Sequence, residues 1–435
     1  MSSQKVSPQG LLLIKQAIAQ RGWRVGDERW LVEASRLLEP EGDWPIDGPY
    51  AYGCSLQTWE RFLQRVAIRD RSFNTFCQML NLSPHEVAES AYPFTTDWGC
   101  APDAPTLCGR EQELETLARW IFEDRCRLIN VVGFAGIGKT RLLKGGLCSA
   151  ALASRIQKAF DCLIWRRLDA RSPEMLLKEI VAFVADSNET SLELLPETVD
   201  GLVTQLLHCL KQRRCLIVID GADLERDRRY ADIFGQIAQV QHQSCVIVAS
   251  RERAKDVDIL EGMYPVRSLP LSGLELPAVQ KLFQDIDQSA TFRGSPQDWK
   301  TLIATYGGNP LMLEVVAKHI AKWFDGYLAD FLYQNLMVFG KIRMLLDQHF
   351  ESLSEAQKEI VLLLADRVEP VSIEAVRLSL LSSTFKRSIS ETLDSLERQL
   401  LIEREKDELR LLPPLREYVR DHLIMSQIKP KTCRR

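Results

Sequence analysis

Residues 133–140 have the residue types and spacing with the clearest chemical meaning in this sequence. They read G-F-A-G-I-G-K-T, which is the pattern G-x-x-x-x-G-K-[ST], and the apolar run Leu128–Val132 precedes them. Gly133, Gly136 and Gly138 allow the backbone to curl so that successive N–H groups point inward, and the start of the following helix adds partial positive charge. Such a segment binds nucleotide phosphates. We call residues 133–140 the phosphate loop.

Two side chains of the phosphate loop have predicted roles of their own. Lys139 is expected to meet the β- and γ-phosphates of the nucleotide. Thr140 is expected to supply a hydroxyl ligand to Mg²⁺, a hard cation that prefers oxygen ligands shared with phosphate. Ile137 and Arg141, their neighbours in the sequence, are included in the predicted nucleotide site. The motif thus predicts a nucleotide as cofactor, together with Mg²⁺.

A second apolar run, 215–219, ends in Asp220. Because the carboxyl ends of parallel strands lie at one edge of a sheet, Asp220 is expected to face the phosphate loop and to anchor Mg²⁺. Hydrolysis also needs a group that orients the attacking water. The next residue is Gly221, so Asp223 is the remaining candidate, and an exposed loop position or a helix-capping role is the alternative for it.

A third apolar run, 244–250, ends in the cation Arg251. At the same sheet edge, Arg251 is placed to contact a γ-phosphate. The alternative is a surface arginine paired with Glu252 or Asp256.

These runs belong to a chain segment in which strand-like and helical patterns alternate, as in a parallel α/β sheet. The predicted strands are 128–132, 162–166, 215–220 and 244–250, and the predicted helices are 173–185 and 197–210. After Pro270 the pattern is helical almost throughout, until 400–404 and 409–412 indicate a β-hairpin around a charged turn. Helices followed by such a hairpin predict a winged helix.

Composition excludes several classes of protein. The formal net charge is −4 with a pI near 6.0, which argues against a globally basic nucleic-acid-binding or membrane-surface protein. No apolar run is long enough for a membrane helix and no secretory signal begins the chain, so we expect a cytoplasmic protein without a membrane partner. The 11 cysteines include no C-x-x-C pair and are expected to be reduced thiols.

The order of these motifs resembles the NB-ARC branch of the STAND nucleotide-switch proteins over about residues 107–425. The sequence Gly109-Arg110-Glu111 is similar to the family's hhGRE element, and Gly307-Gly308-Asn309-Pro310-Leu311 is similar to its GxPL element. The resemblance implies ATP or ADP as ligand, an approach of Arg110 to the nucleotide, a sensor role for Arg251 and packing of Pro310 beside the adenine. A simple helix-ending turn followed by a helix-start proline is the alternative for the second element.

The sequence departs from the family pattern at three places. Gly221 stands where a second acid usually follows the Asp220 position, which implies slow or absent hydrolysis. The family's Met-His-Asp element aligns with Leu411-Leu412-Pro413, so the histidine that reads the ADP β-phosphate is missing. The family usually continues into ligand-sensing repeats, whereas this sequence stops after a short basic tail, so either sensing is expected elsewhere or the sequence is truncated.

The segment from Tyr52 to Val87 resembles a repressor-type helix-turn-helix, most like the version fused to nucleotide switches in cyanobacteria. Ser55 is expected to cap the recognition helix, and Phe62, Phe73, Phe76 and Leu80 to fill a small core. The residues expected to face a DNA major groove are Gln57, Thr58, Arg61 and Arg65. The acidic residues between 27 and 47 balance the arginines, and docking of a protein is the alternative use of this fold.

The expected fold is therefore multidomain, α/β plus α. The domains are a helix-turn-helix-like domain at 1–92, a linker at 93–106, a P-loop nucleotide-binding domain (NB) at 107–265, a helical domain (ARC1) at 266–345, a winged-helix domain (ARC2) at 346–425 and a basic tail at 426–435. The first functional hypothesis is a nucleotide-dependent signalling switch that self-associates or binds an effector protein. The second is a DNA-binding regulator modulated by ATP. A metabolic kinase is disfavoured because no acceptor-site acid or base accompanies the phosphate loop.

Overall fold

The computed structural model describes most of the chain as two compact units, Met1–Phe94 and Thr95–Arg435. The described residues are 3–89, 94–103, 107–168, 171–185, 195–222, 228–251, 255–287, 291–334, 336–367, 369–380, 389–399 and 401–428. Asp223, Glu252 and residues 429–435 of the predicted basic tail lie outside them. Among the described residues, no helix is both long enough and apolar enough to cross a membrane.

The first unit is helical, with one short antiparallel strand pair. Its elements are β1 (Ser3–Gln4), α1 (Pro8–Arg21), α2 (Arg29–Leu38), α3 (Leu56–Leu63), β2 (Ile68–Arg69), α4 (Asp70–Met79) and α5 (Pro84–Val87). The Ser55 side chain accepts a hydrogen bond from Thr58 N and caps α3, as predicted. The core consists of stacked and edge-on aromatic rings, among them the predicted Phe62, Phe73 and Phe76. Leu80, also predicted there, is buried with them.

The second unit is built on a parallel sheet. In the described residues its strands are β3 (Thr95–Asp97), β4 (Leu128–Val132), β5 (Cys162–Arg167), β6 (Cys215–Ala222), β7 (Cys245–Ser250) and β8 (Val266–Pro270), in the order β3-β5-β6-β7-β4-β8. The helices around it are α6 (Glu111–Phe122), α7 (Lys139–Leu147), α8 (Ala150–Ala159), α9 (Pro173–Val184), α10 (Val199–Gln212), α11 (Arg228–Gln239) and α12 (Lys255–Leu260). This is the α/β fold of a P-loop NTPase, with β4 and β6 leading into the predicted site.

The sequence predicted the four inner strands and missed both outer ones. The short polar strand β3 lies within the predicted linker 93–106, and β8 lies just beyond the predicted domain end at 265. Both occupy edges of the sheet, where β3 is largely exposed and β8 carries the half-buried Arg267. An edge strand does not need the continuous apolar run by which an inner strand is recognised.

The rest of the second unit is mostly helical. Its elements are α13 (Leu276–Ile286), α14 (Pro296–Thr305), α15 (Pro310–Trp323), α16 (Leu328–Tyr333), α17 (Gly340–Ser352), α18 (Glu355–Asp366), β9 (Val371–Ser372), α19 (Ile373–Ser379), α20 (Ile389–Arg398), β10 (Ile402–Glu405), β11 (Glu408–Leu411) and α21 (Pro413–Ile428). The predicted hairpin is present as antiparallel β10 and β11, and β9 adds a third strand to it. Helix α17 packs against α15 and α21.

Candidate functional site

The phosphate loop connects β4 to α7, as the motif requires. Gly136 has φ 80° and Gly138 has φ 101°, backbone conformations that side-chain-bearing residues rarely adopt. Gly138 directly precedes the first residue of α7, so the loop ends at a helix N-terminus. These features provide the inward-curled backbone and positive helix end that favour phosphate.

Lys139, the first residue of α7, contacts the backbone of this loop with its side chain. Its Nζ donates to the carbonyl oxygens of Gly133 at 2.5 Å and Phe134 at 3.1 Å. Burial, together with the nearby charge of Arg251, lowers the pKa of Lys139 to about 8, and Asp220 opposes this effect. Lys139 interacts with both Arg251 and Asp220, and Arg167 also acts on Asp220, so cations outnumber the carboxylate and the site suits a polyanion such as a nucleotide phosphate chain.

Thr140 and Asp220 are in direct contact. The Thr140 hydroxyl lies 2.9 and 3.0 Å from the two carboxylate oxygens of Asp220. Asp220 is buried at the end region of β6, and burial raises the pKa of its carboxyl group. A hydroxyl and a carboxylate beside a phosphate loop are the oxygen ligands that fit Mg²⁺. The structure thus brings the two predicted metal ligands together.

Arg251 and Gly221 flank this pair at the sheet edge. Val132 and Ser250 are partners in the β4–β7 ladder, so Arg251 follows β7 directly beside the start of the phosphate loop. Gly221 has φ 76°, and a Cβ there would find open space. The position after Asp220 therefore carries no acid, as the sequence showed, and Asp223 is outside the described residues.

A cleft of about 420 Å³ opens beside the phosphate loop. Its lining combines residues of the sheet part and of the helical part, namely Leu107, Cys108, Arg110, Ile137, Gly138, Arg141, Leu274, Leu282, Asp285, Ile286, Pro310, Glu314 and Lys318. Apolar walls with a few charged groups suit a nucleoside. Ile137, Arg141 and Pro310, which the sequence assigned to the nucleotide site, thus line one cleft beside the phosphate loop.

Arg110 lines this cleft, and its side chain is engaged in hydrogen bonds with other parts of the protein. It is 4% exposed, and its guanidinium donates to the carbonyls of Ile137 at 3.1 Å and Ser272 at 2.8 Å and pairs with Glu113 at 2.6 Å. These contacts fix the phosphate loop against the segment after β8. The structure therefore gives Arg110 a positioning role at the site, in addition to lining it.

The start of α15 docks on the phosphate loop. The Asn309 side chain caps this helix and also donates to the Ala135 carbonyl at 2.9 Å, while Leu311 N donates to the Gly136 carbonyl at 3.3 Å. Sequence reasoning stressed Pro310 in this element and gave no role to Asn309. An asparagine directly before a helix-start proline is a capping signal, but its second contact could be found only in three dimensions.

A second residue missed by sequence reasoning is His349 of α17. Its ring is 3% exposed and stacks against Phe134 of the phosphate loop, with 4.7 Å between ring centroids. The predicted position of the family's histidine, Leu412, lies against Gly307 instead. An isolated histidine in a helix carries no spacing signal by which it could be recognised.

The buried state of His349 predicts a pH-dependent stability. Burial and the charges of Arg251 and Lys139 lower its pKa to about 3. Between pH 6.5 and 3 the unfolded chain therefore binds a proton that the folded chain does not, so stability falls as the pH falls. Relative to pH 7.5, this group destabilises the fold at pH 5.0 by about 2 kcal/mol. Urea unfolding should show wild type losing about this much more than His349→Phe, and equal losses would contradict the buried neutral ring.

The predicted DNA-contacting residues of the first unit lie on and just after α3. Gln57 and Arg61 are exposed, and Thr58 is bonded to the Ser55 cap. Arg65 follows the helix with φ 60°; its guanidinium donates to the Val6 carbonyl and pairs with Glu89. The Arg65 side chain is thus engaged in contacts inside the first unit.

Fold and site together define a P-loop NTPase domain in the second unit. Residues 110–265 match the family model of the NB-ARC domain. This match agrees with the resemblance noted from the sequence motifs.

Similarity to other proteins covers more of the chain than the NB-ARC family model does. An uncharacterized WD repeat-containing protein of Nostoc sp. is 38% identical over 466 residues, covering 97% of this chain and 36% of that protein. A disease resistance-like protein of Arabidopsis thaliana is 28% identical over 58% of this chain and 20% of its own length. A STAND protein with a tetratricopeptide repeat sensor from Pyrococcus horikoshii aligns with a TM-score of 0.39 at 18% identity, over 77% of this chain and 47% of that one. The chain spans about a third or less of the two curated relatives.

Proposed function

We propose that this chain is the nucleotide-switch part of a STAND-type signalling protein, which binds ATP or ADP with Mg²⁺ and changes its conformation or self-association accordingly. The observation that carries this proposal is the position of the cleft. Its walls come from the phosphate loop on one side and from Pro310 and Glu314 of α15 on the other. A ligand held by both parts changes the free energy of separating them.

Different residues of the site would bind different parts of the nucleotide. Lys139 and the backbone of the phosphate loop hold the phosphates, and Thr140 with Asp220 would hold Mg²⁺, which neutralises phosphate charge when bound. Ile137 and Pro310 provide apolar contact for the base. Arg110 keeps the loop and the segment after β8 together through the Ile137 and Ser272 carbonyls.

The most direct test is to identify the nucleotide that co-purifies with the protein and to measure ADP and ATP binding by calorimetry after its removal. We expect adenine nucleotide with a Mg²⁺-dependent affinity. Small-angle scattering and light scattering with each nucleotide then test whether compactness or association depends on the ligand. A protein that binds neither nucleotide would refute the switch.

We expect steady-state ATP hydrolysis to be slow, below about 1 s⁻¹, which is under the usual range of kinases. The reason is that Gly221 supplies no carboxylate beside Asp220 to orient water. Phosphate release measured with saturating Mg²⁺ and ATP checks this. Turnover in the tens per second that disappears in Asp220→Ala would indicate an enzyme instead of a switch.

For the first unit we propose docking of a protein, with DNA binding as the alternative. Three of the four predicted groove residues are engaged in contacts inside the unit, namely Thr58 with Ser55, Arg61 with the Ala67 carbonyl, and Arg65 with Val6 and Glu89. Binding to an arbitrary DNA duplex at increasing salt separates the two, because phosphate contacts make such binding strongly salt-dependent. Salt-sensitive binding that weakens in Arg61→Ala would favour the DNA alternative.

A further inference from the structure

Helix α17 places an unsatisfied polar ring inside the second unit. His349 is 3% exposed, and neither of its ring nitrogens has a hydrogen-bond partner among the residues that the structure describes. Leaving a buried polar group unpaired is destabilising, so native proteins rarely retain one without a use for it. The surroundings of the ring indicate what that use is.

The ring lies at the phosphate end of the nucleotide site. It packs against Phe134, at 32° between ring planes, and the carbonyl of Phe134 accepts a hydrogen bond from the ammonium of Lys139 at 3.1 Å. A phosphate-loop lysine meets the β- and γ-phosphates. The imidazole is therefore next to the residue that holds this lysine, at the end of the site where the phosphate chain terminates.

The charges around the ring keep it neutral at pH 7. Burial and the cations Arg251 and Lys139 disfavour the imidazolium, so one nitrogen carries N–H and the other a lone pair. The two cations cannot satisfy the N–H, because they are donors themselves. A phosphate oxygen can accept hydrogen bonds from the imidazole N–H, from Arg251 and from Lys139. An anionic phosphate group therefore suits all three donors.

We propose that the imidazole N–H of His349 donates a hydrogen bond to a phosphate oxygen beyond the α-phosphate of the bound adenine nucleotide. This proposal rests on the proposed function and adds a phosphate contact from the helical part of the unit. Because α17 packs against α15 and α21, the contact ties these helices to the occupancy of the phosphate loop. The chain thereby has an imidazole at the phosphates although Leu412 cannot supply one.

Competition binding of AMP, ADP and ATP to the full chain tests the contact. A hydrogen bond to a charged group is worth about ten- to hundredfold in affinity, so His349→Phe should lose at least about tenfold for ADP and ATP. AMP lacks the terminal phosphates, and its affinity should not change. His349→Gln keeps an N–H donor and should recover most of the affinity. A ring that only packs would weaken all three nucleotides alike, and that outcome would overturn the proposal.

The matched control is His319→Phe. His319 is also packed among aromatic side chains, with Phe339 at 4.4 Å between ring centroids, and it receives the same substitution. Its nucleotide affinities should equal those of wild type. An equal loss in both variants would show that the effect comes from repacking and would reject a phosphate contact.

A second measurement needs no variant. In wild-type protein with ¹⁵N-labelled histidine, the ring signals of His349 should shift on saturation with Mg²⁺ and ADP, because one nitrogen gains an acceptor; signals unchanged by ADP and ATP would overturn the proposal. If wild type binds no nucleotide, the proposed function itself fails. If wild type and His349→Phe bind equally while Lys139→Ala does not bind, only the histidine contact fails.

Discussion

Lys139→Ala should reduce ADP and ATP binding by at least about a hundredfold, to the limit of calorimetric detection. The change removes the ammonium that donates to two carbonyls of the phosphate loop, and hydrogen bonds to charged groups are the strong ones in such a site. The fold should persist, because the lost contacts are two hydrogen bonds to loop carbonyls. Circular dichroism and thermal unfolding check the fold of the same sample.

Lys158→Ala is the control for this experiment. Lys158 is an exposed residue of α8 in the same unit, so its removal changes the net charge by the same amount without touching the loop. It should bind as wild type does. Retained wild-type affinity in Lys139→Ala would place the nucleotide elsewhere and would remove the basis of the proposed function.

Gly273→Ala should lower the free energy of unfolding of the second unit by about 3 kcal/mol. A Cβ at position 273 would lie 2.0 Å from the carbonyl oxygen of Gly307, and backbone on both sides must move to relieve this overlap. The two segments are also joined by Leu274 N, which donates to the Gly308 carbonyl at 2.8 Å. Chemical denaturation of both proteins measures the loss.

The same substitution should weaken nucleotide binding, because Ser272 holds Arg110 and Leu274 lines the cleft. Gly262→Ala is the matched control, since a Cβ at Gly262 has no neighbour within 4 Å. Its stability should stay within about 0.5 kcal/mol of wild type. Equal stability of the two variants would mean that the backbone segments do not approach as closely as described.

The success of sequence reasoning followed the strength of local patterns. The phosphate loop and strands β4 to β7 are continuous motifs, and a motif fixes both an element and its neighbours in the sequence. Asp220 could be assigned because parallel strands share one edge, and its contact with Thr140 agrees with that argument. The predicted roles of Arg251 and Pro310 in binding remain predictions, although both residues lie in the expected region.

The contacts that sequence reasoning missed join residues that are far apart in the chain. His349 approaches Phe134 across more than two hundred residues, and Asn309 reaches Ala135 across 174 residues. Arg110 lines the cleft and its approach to the ligand stays a prediction, whereas its hydrogen bonds to the carbonyls of Ile137 and Ser272 were not predicted. Sequence periodicity predicts single helices and strands. It does not predict these contacts, because they depend on how the helices and strands pack against each other.

The docking of α15 on the phosphate loop bears on how fast a nucleotide can leave the proposed site. Asn309 and Leu311 hold the carbonyls of Ala135 and Gly136, and these hydrogen bonds close the cleft on the side of the helical part. If the cleft binds a nucleotide as we propose, we expect its residence time to depend on the opening of these hydrogen bonds as well as on the contacts of the nucleotide itself. Under the proposed function, a partner that loosens α15 would therefore speed the exchange of one nucleotide for another.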